Sequence, residues 1–169
     1  MTHPGGVSDY VAGVRRVLEA SYDVELKELG DGIAVVGHRS DFRLRWGAVR
    51  LHTVVTVLPV PLDVSLQTLE DYLAASGRAA AATAGRARGL QVGAAAVAVA
   101  VLPGMSPVAQ QWAERAHGHD VAVVGYPVAV GVEPPGVVQP ARMRTGAVYR
   151  GFLREVVRDV VTAPLDEGA

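Results

Sequence analysis

The stretch that decides the fold spans residues 42–55 and reads FRLRWGAVRLHTVV. Apolar and polar residues alternate on both sides of Gly47 and Ala48, which is the pattern of two half-buried strands. Glycine at the first central position suits a type II′ turn, so the sequence predicts a β-hairpin closed by these two residues. The apolar side chains that this hairpin directs toward the core are Phe42, Leu44, Trp46, Val49 and Leu51.

The other face of this hairpin is predicted to be basic. The expected pairing puts Arg45 opposite Arg50 and Arg43 opposite His52. Like charges on directly opposed residues are unfavourable by about 0.2–1 kcal/mol per pair, so an anionic ligand or acids from elsewhere in the fold would relieve them. The basic residues predicted for this face are Arg43, Arg45, Arg50, His52 and His38.

A second two-residue turn is predicted at Ser40-Asp41, and this turn would place His38 beside Arg43. Guanidinium groups present planar paired donors, so such a face would suit phosphate or carboxylate. Two other interpretations stay open at this point. Acidic helix residues such as Glu70 would cover the face, or the face would be solvated.

Further arginines flank the predicted helices. Arg86 and Arg88 follow one helix, and Arg142 and Arg144 precede another. Arginine near a helix start is unfavourable with the helix dipole, so the second pair does not stabilise its own helix. These cations either serve an anionic partner or form a dispersed, solubilising surface. No aromatic residues alternate with them, which argues against base stacking on single strands.

The motifs of cofactor sites are incomplete. His117, His119 and Asp120 are suitable metal ligands, but they fall on a predicted helix end, and nothing elsewhere adds a ligand at recognisable spacing. The glycines of residues 85–89 precede a predicted strand, whereas a phosphate loop precedes a helix. No serine stands in a Gly-x-Ser-x-Gly motif. The sequence therefore predicts no metal, no cofactor and no catalytic residue.

The composition sets the broad class of the protein. Half of the 169 residues are hydrophobic, the formal net charge is −1, and there is no cysteine. Disulfides and thiolate metal sites are thereby excluded, and any electrostatic partner must be drawn by a local patch. The first residues lack the pattern of a signal peptide, and the longest apolar run is about half as long as a membrane-spanning helix. We therefore expect a cytoplasmic protein.

The order of the predicted elements defines the expected fold. A helix is followed by several antiparallel strands and then by helix, strand, helix, strand and helix, which implies an α/β or α+β protein. We expect a mixed, largely antiparallel sheet packed against about four helices in a single layered sandwich. One domain is expected to cover residues 8–162, with flexible tails at 1–7 and 163–169. Helix N-caps are predicted at Ser8, Ser65, Ser106 and Thr145.

The element order over residues 8–125 resembles the core of restriction-endonuclease-like nucleases. The resemblance implies a divalent metal held by an acid on the second core strand and a Glu-x-Lys type pair on the third. The corresponding strand here, residues 49–54, reads VRLHTV and has no acid, and Asp41 is the only acid near the preceding strand. A chain of this kind would be catalytically degenerate and would retain at most a binding function.

These observations favour a non-catalytic interaction or accessory domain whose partner is another protein or a second copy of the chain. A predicted sheet edge at residues 126–132, marked by Pro127, suits such association. The alternative is a nucleic-acid or other polyanion binder that uses the basic hairpin face, extended by Arg86 and Arg88. A third possibility is an enzyme with an acid–base site dispersed around His38 and His52.

Overall fold

Within the described part of the chain, one mixed sheet of six strands organises the fold, and its strands lie side by side in chain order. The strands are β1 (Asp23–Leu29), β2 (Gly32–Phe42), β3 (Arg50–Pro59), β4 (Val92–Leu102), β5 (Val123–Gly131) and β6 (Gly136–Val138). The first three strands are antiparallel, β3, β4 and β5 run parallel, and β6 returns antiparallel to β5. This computed structural model describes residues 6–43, 50–85, 92–115, 123–143 and 146–166.

Helices connect the parallel strands and flank the sheet. They are α1 (Gly6–Glu19), α2 (Leu66–Ala84) between β3 and β4, and α3 (Pro107–Glu114) between β4 and β5. Residues 147–166 form a C-terminal helical segment made of a 3₁₀ turn (Ala147–Tyr149), α4 (Arg150–Val156), a π-helical stretch (Val157–Thr162) and α5 (Ala163–Asp166). Among the described helices, none combines the length and the apolar character that a membrane crossing requires.

Each face of the sheet has its own apolar core. We call the side packed against α1 and the C-terminal helical segment the α1 face, and the side packed against α2 and α3 the α2 face. Val97, Val99 and Val101 of β4 pack on the α1 face, whereas the alanines between them pack on the α2 face. Because these alanines occupy little space, α2 approaches the sheet closely through Ala80 and Ala84.

A buried polar cluster holds α2 against the sheet. The hydroxyl of Thr56 lies 2.8 Å from the hydroxyls of both Tyr72 and Ser76, and Tyr72 donates to the carbonyl of Val99 at 3.1 Å. Burial raises the pKa of Tyr72, so its hydroxyl stays protonated and available as a donor. Since buried polar groups are costly when unpaired, this cluster defines how α2 sits on β3 and β4.

The expected α/β class and the mixed sheet are confirmed. Helices cover both faces, so the sheet is a middle layer rather than one side of a single layered sandwich. Ser65 and Ser106 cap α2 and α3 as predicted, because each side chain accepts a hydrogen bond from a backbone N–H in the first turn. Ser8 lies inside α1 instead of capping it. Thr145 lies outside the described residues.

The predicted register of the hairpin is wrong. β2 continues to Phe42 and contains the residues that were expected to turn, Ser40 and Asp41. Ser40 pairs with His52, and Phe42 pairs with Arg50. Opposed residues of an antiparallel pair lie on the same face, so Phe42 shares the α2 face with Arg50. The Phe42 side chain was expected in the core, but it is 56% exposed. The other predicted turn, between residues 44 and 49, lies outside the described residues.

Other predicted boundaries shift by a few residues. The described helices begin at Gly6 and extend to Asp166, beyond the expected limits of residues 8 and 162. Residues 123–131 form one strand, β5, in which Pro127 pairs with β4. β6 pairs only with Ala129–Gly131, so among the described residues no strand adjoins the outer side of Pro127. The edge predicted at residues 126–132 is thus open beside Pro127 and covered by β6 at Ala129–Gly131.

Candidate functional site

The predicted basic face is divided between the two sides of the sheet. Arg50 and His52 lie on the α2 face, because they alternate along β3 with Leu51, which belongs to the apolar core of the α1 face. Arg43 reaches the α1 side, where its guanidinium donates to the Glu155 carboxylate at 3.4 Å and lies 4.9 Å from the ring centre of Phe152. The structure therefore separates Arg43 from the two residues with which it was expected to form a site.

Arg39 is the residue of the α1 face that the sequence pattern did not reveal. Its guanidinium lies 4.7 Å from the ring centre of Tyr22 and 5.7 Å from that of Phe152, and it pairs with the Asp41 carboxylate at 2.8 Å. Burial raises the pKa of Tyr22 to about 12, while the Arg39 charge acts in the opposite direction. A continuous strand places Arg39 and Asp41 on one face by alternation, and the predicted turn concealed this relationship.

The structure does bring His38 and His52 together, on the α2 face. His38 Nε2 lies 3.2 Å from His52 Nδ1, and the rings are stacked with an interplanar angle of 6° and centroids 5.4 Å apart. The pKa of His52 is lowered, chiefly by burial and further by the neighbouring His38 and Arg50. A neutral His52 therefore fits this environment, and its hydrogen bond to His38 joins β2 to β3 through side chains.

The lowered pKa of His52 predicts a pH-dependent stability. The unfolded chain has the ordinary histidine pKa of 6.5, whereas the folded chain binds that proton only at lower pH. The unfolded state therefore binds more protons in this window, and the free energy of unfolding falls as the pH drops below 6.5. Urea unfolding of the wild type and of His52→Gln at neutral and mildly acidic pH measures this effect. The wild type should lose its stability advantage over His52→Gln as the pH falls. An advantage that grows in acid would contradict the lowered pKa of His52.

An open groove of about 320 Å³ lies between β1, β2 and the C-terminal half of α2. Asp23, Glu25 and Lys27 of β1 line it, together with His38 and, from α2, Thr83. The walls thus carry both signs of charge within a short length of strand. Such a surface suits a partner that also carries both signs, rather than a uniformly anionic one.

β1 forms one edge of the sheet, and among the described residues no strand pairs with its outer side. Asp23, Glu25 and Lys27 line the groove on the α2 face, so alternation places Leu26 and Glu28 on the α1 face. Leu26 is 59% exposed, and Ile33, on the adjacent strand and the same face, is 64% exposed. This open edge with its apolar patch, which we call the β1 edge, is the second candidate feature. The alternation of β1 can be read from residues 23–29 of the sequence. Only the order of the strands in the sheet shows that β1 is an edge strand.

Several predicted site residues lie outside the described residues, and their structural surroundings stay untested. They are Arg45, Arg86, Arg88, Arg144, His117, His119 and Asp120. Arg142 is described and exposed. Within the described ranges, no three histidine, aspartate or glutamate side chains are grouped so that they could hold a metal ion.

Comparison with known proteins adds no family assignment. No protein-family model, no curated protein and no solved structure matches this chain. The geometry of the β1 edge and of the groove beside it therefore carries the candidate function.

Proposed function

We propose that this chain is an interaction domain that docks an extended strand of a protein partner on the β1 edge. The observation that carries the proposal is the outer side of β1, which no strand of the described residues pairs with and which the exposed Leu26 and Ile33 flank. An exposed strand edge offers a row of N–H and C=O groups to another chain, which is the basis of recognition by strand addition.

The two edges of the sheet differ as docking templates. β1 has 7 residues and β6 has 3. At about 3.3 Å per residue, β1 offers roughly 23 Å of backbone for pairing. A partner strand on β1 would place alternate side chains against Leu26 on the α1 face and against the charged groove on the α2 face. The edge thus supplies backbone hydrogen bonds for affinity and two different faces for specificity.

A peptide titration followed by nuclear magnetic resonance tests this proposal. The ¹⁵N-labelled protein is titrated with a synthetic peptide that copies residues 23–29, DVELKEL. Strand addition predicts that amide signals of β1 shift and become protected from exchange. A peptide of the same composition in scrambled order serves as the ligand control.

Two leucines of similar exposure give matched protein variants for this titration. Leu26→Lys places a charge on the β1 edge, whereas Leu62→Lys places it on a leucine that is 54% exposed elsewhere. We expect the first variant to lose the peptide response and the second to keep it. The absence of any shift in residues 23–29, or equal responses from both variants, would refute docking on β1.

Polyanion binding is the second candidate function, and the observation that favours it is the position of Arg50. Arg50 is exposed on the α2 face beside His52, whose pKa is lowered by burial first and then by the charges of His38 and Arg50, so a cation is open to an anionic ligand here. Binding of a short DNA duplex should weaken steeply with salt and should be reduced in Arg50→Ala. Salt-independent binding, or full binding by this variant, would exclude this function for Arg50.

A further inference from the structure

We propose that the strand docked on the β1 edge is β1 of a second copy of this chain, paired antiparallel about a two-fold axis at Leu26. The inference rests on the proposed function and names its partner. The two six-stranded sheets continue into each other through this pairing. The interface is isologous, because each copy contributes the same residues.

The charges of β1 are complementary to themselves in this arrangement. β1 reads DVELKEL, and Leu26 is its middle residue. When Leu26 lies opposite Leu26 of the second copy, Glu25 of each copy lies opposite Lys27 of the other. The symmetry forms this ion pair twice, and both pairs lie on the α2 face, where Glu25 and Lys27 line the groove. Opposite charges on directly opposed strand residues stabilise the pairing.

Both neighbouring registers oppose like charges at the axis. An axis one residue earlier pairs Asp23 with Lys27 but puts Glu25 opposite Glu25, and an axis one residue later puts Lys27 opposite Lys27 with no opposite-charge pair. Both shifts also shorten the ladder. Charged residues on an edge strand usually oppose association between sheets, and lysine is the commonest of them. In the register centred on Leu26, each lysine meets a glutamate and no like charges are opposed, so the charges favour this register over both neighbours.

The α1 face of the paired strands is apolar at the axis. Leu26 is 59% exposed in the single chain and would contact its own copy across the axis. Ile33 of β2, 64% exposed, flanks it on the same face. Pairing removes part of this surface from water, and burial of apolar surface favours association. Backbone pairing, charge pairing and apolar burial therefore all favour a second copy of β1 as the partner, in the register centred on Leu26.

Charge-exchange variants test the inference by sedimentation equilibrium from micromolar to millimolar protein. The wild type should pass from monomer to dimer as its concentration rises. Glu25→Lys and Lys27→Glu each convert two attractive pairs into two repulsive ones, so each should raise the dimer dissociation constant about 10-fold or more. The double variant Glu25→Lys/Lys27→Glu restores opposite charges and should dimerise like the wild type.

Mixing the two single variants gives the most specific result. Each should dimerise more weakly than the wild type when alone, but an equimolar mixture should form a heterodimer as readily as the wild type dimerises, because each charge then meets its opposite. Glu28→Lys is the matched control for Glu25→Lys, since it changes the net charge by the same amount but lies opposite Val24 in this register. Circular dichroism melts verify that these exposed substitutions leave the fold intact.

The outcomes separate this inference from the proposed function. A wild type that stays monomeric at every concentration, or a mixture that forms no heterodimer, overturns the self-pairing. If the peptide copy of β1 still shifts the β1 amides in that case, the edge docks strands but not a second copy. If the peptide fails as well, both proposals fall.

Discussion

Replacement of Phe152 by alanine is expected to lower the free energy of unfolding by about 3–5 kcal/mol. Phe152 is 1% exposed within the α1-face core. Two guanidinium groups also lie over its ring, that of Arg39 at 5.7 Å and that of Arg43 at 4.9 Å from the ring centre. The substitution opens a cavity and removes the cation–π contacts of both guanidinium groups. Guanidinium chloride unfolding followed by circular dichroism measures the loss.

The same C-terminal helical segment offers a matched control. Val148 is 59% exposed, so Val148→Ala should change the free energy of unfolding by less than about 0.5 kcal/mol. Phe152→Leu keeps much of the apolar volume but removes the aromatic ring, and its cost should lie between the two. Equal losses for Phe152→Ala and Val148→Ala would show that Phe152 is not buried in the α1-face core as described.

Replacement of Gly131 by alanine is expected to destabilise the protein by about 1–3 kcal/mol. A Cβ atom on Gly131 would lie 2.7 Å from the backbone nitrogen of Met105 and 3.2 Å from the carbonyl carbon of Gly104. The obstacle is backbone, which cannot rotate away as a side chain can. The end of β5 would have to move away from the turn that follows β4. Thermal and urea unfolding report the loss of stability.

Gly136 gives the control, because it is the residue that pairs with Gly131 across β5 and β6. A Cβ atom at Gly136 meets no described heavy atom within 4 Å. Gly136→Ala should therefore leave stability within about 0.5 kcal/mol of the wild type. If the two substitutions cost the same, then the close approach of Gly131 to Met105 is not the cause.

The features predicted correctly from sequence depend on neighbouring residues. Ser65 and Ser106 cap their helices because an N-cap needs only its own hydroxyl and the N–H groups of the next turn. The alanine and valine run of β4 predicted a strand covered on both faces, and the two cores confirm this. Local chemistry was sufficient for these elements and for the α/β class.

The features predicted wrongly depend on how distant segments meet. Ser40 and Asp41 have turn propensity, but they lie in β2 because Ser40 pairs with His52 of β3. That register moved Arg43 to the α1 side, onto Phe152 and Glu155, more than a hundred positions along the chain. Propensity acts over a few residues, whereas tertiary packing decides which of the competing registers forms.

The candidate site illustrates the same limit. The pairing of His38 with His52 was expected on one face, and the structure places them together through a different register. The β1 edge could not be predicted, because the alternation of residues 23–29 is equally compatible with an inner strand. Only the order of strands in the sheet leaves β1 without an outer neighbour among the described residues.

Amide hydrogen exchange of residues 23–29, measured as a function of protein concentration, tests the central claim most directly. Pairing of β1 with a second β1 predicts that exchange of its outward amides slows as concentration rises, while the amides of β4 stay equally protected throughout. Exchange of residues 23–29 that is the same at every concentration would contradict the proposed pairing.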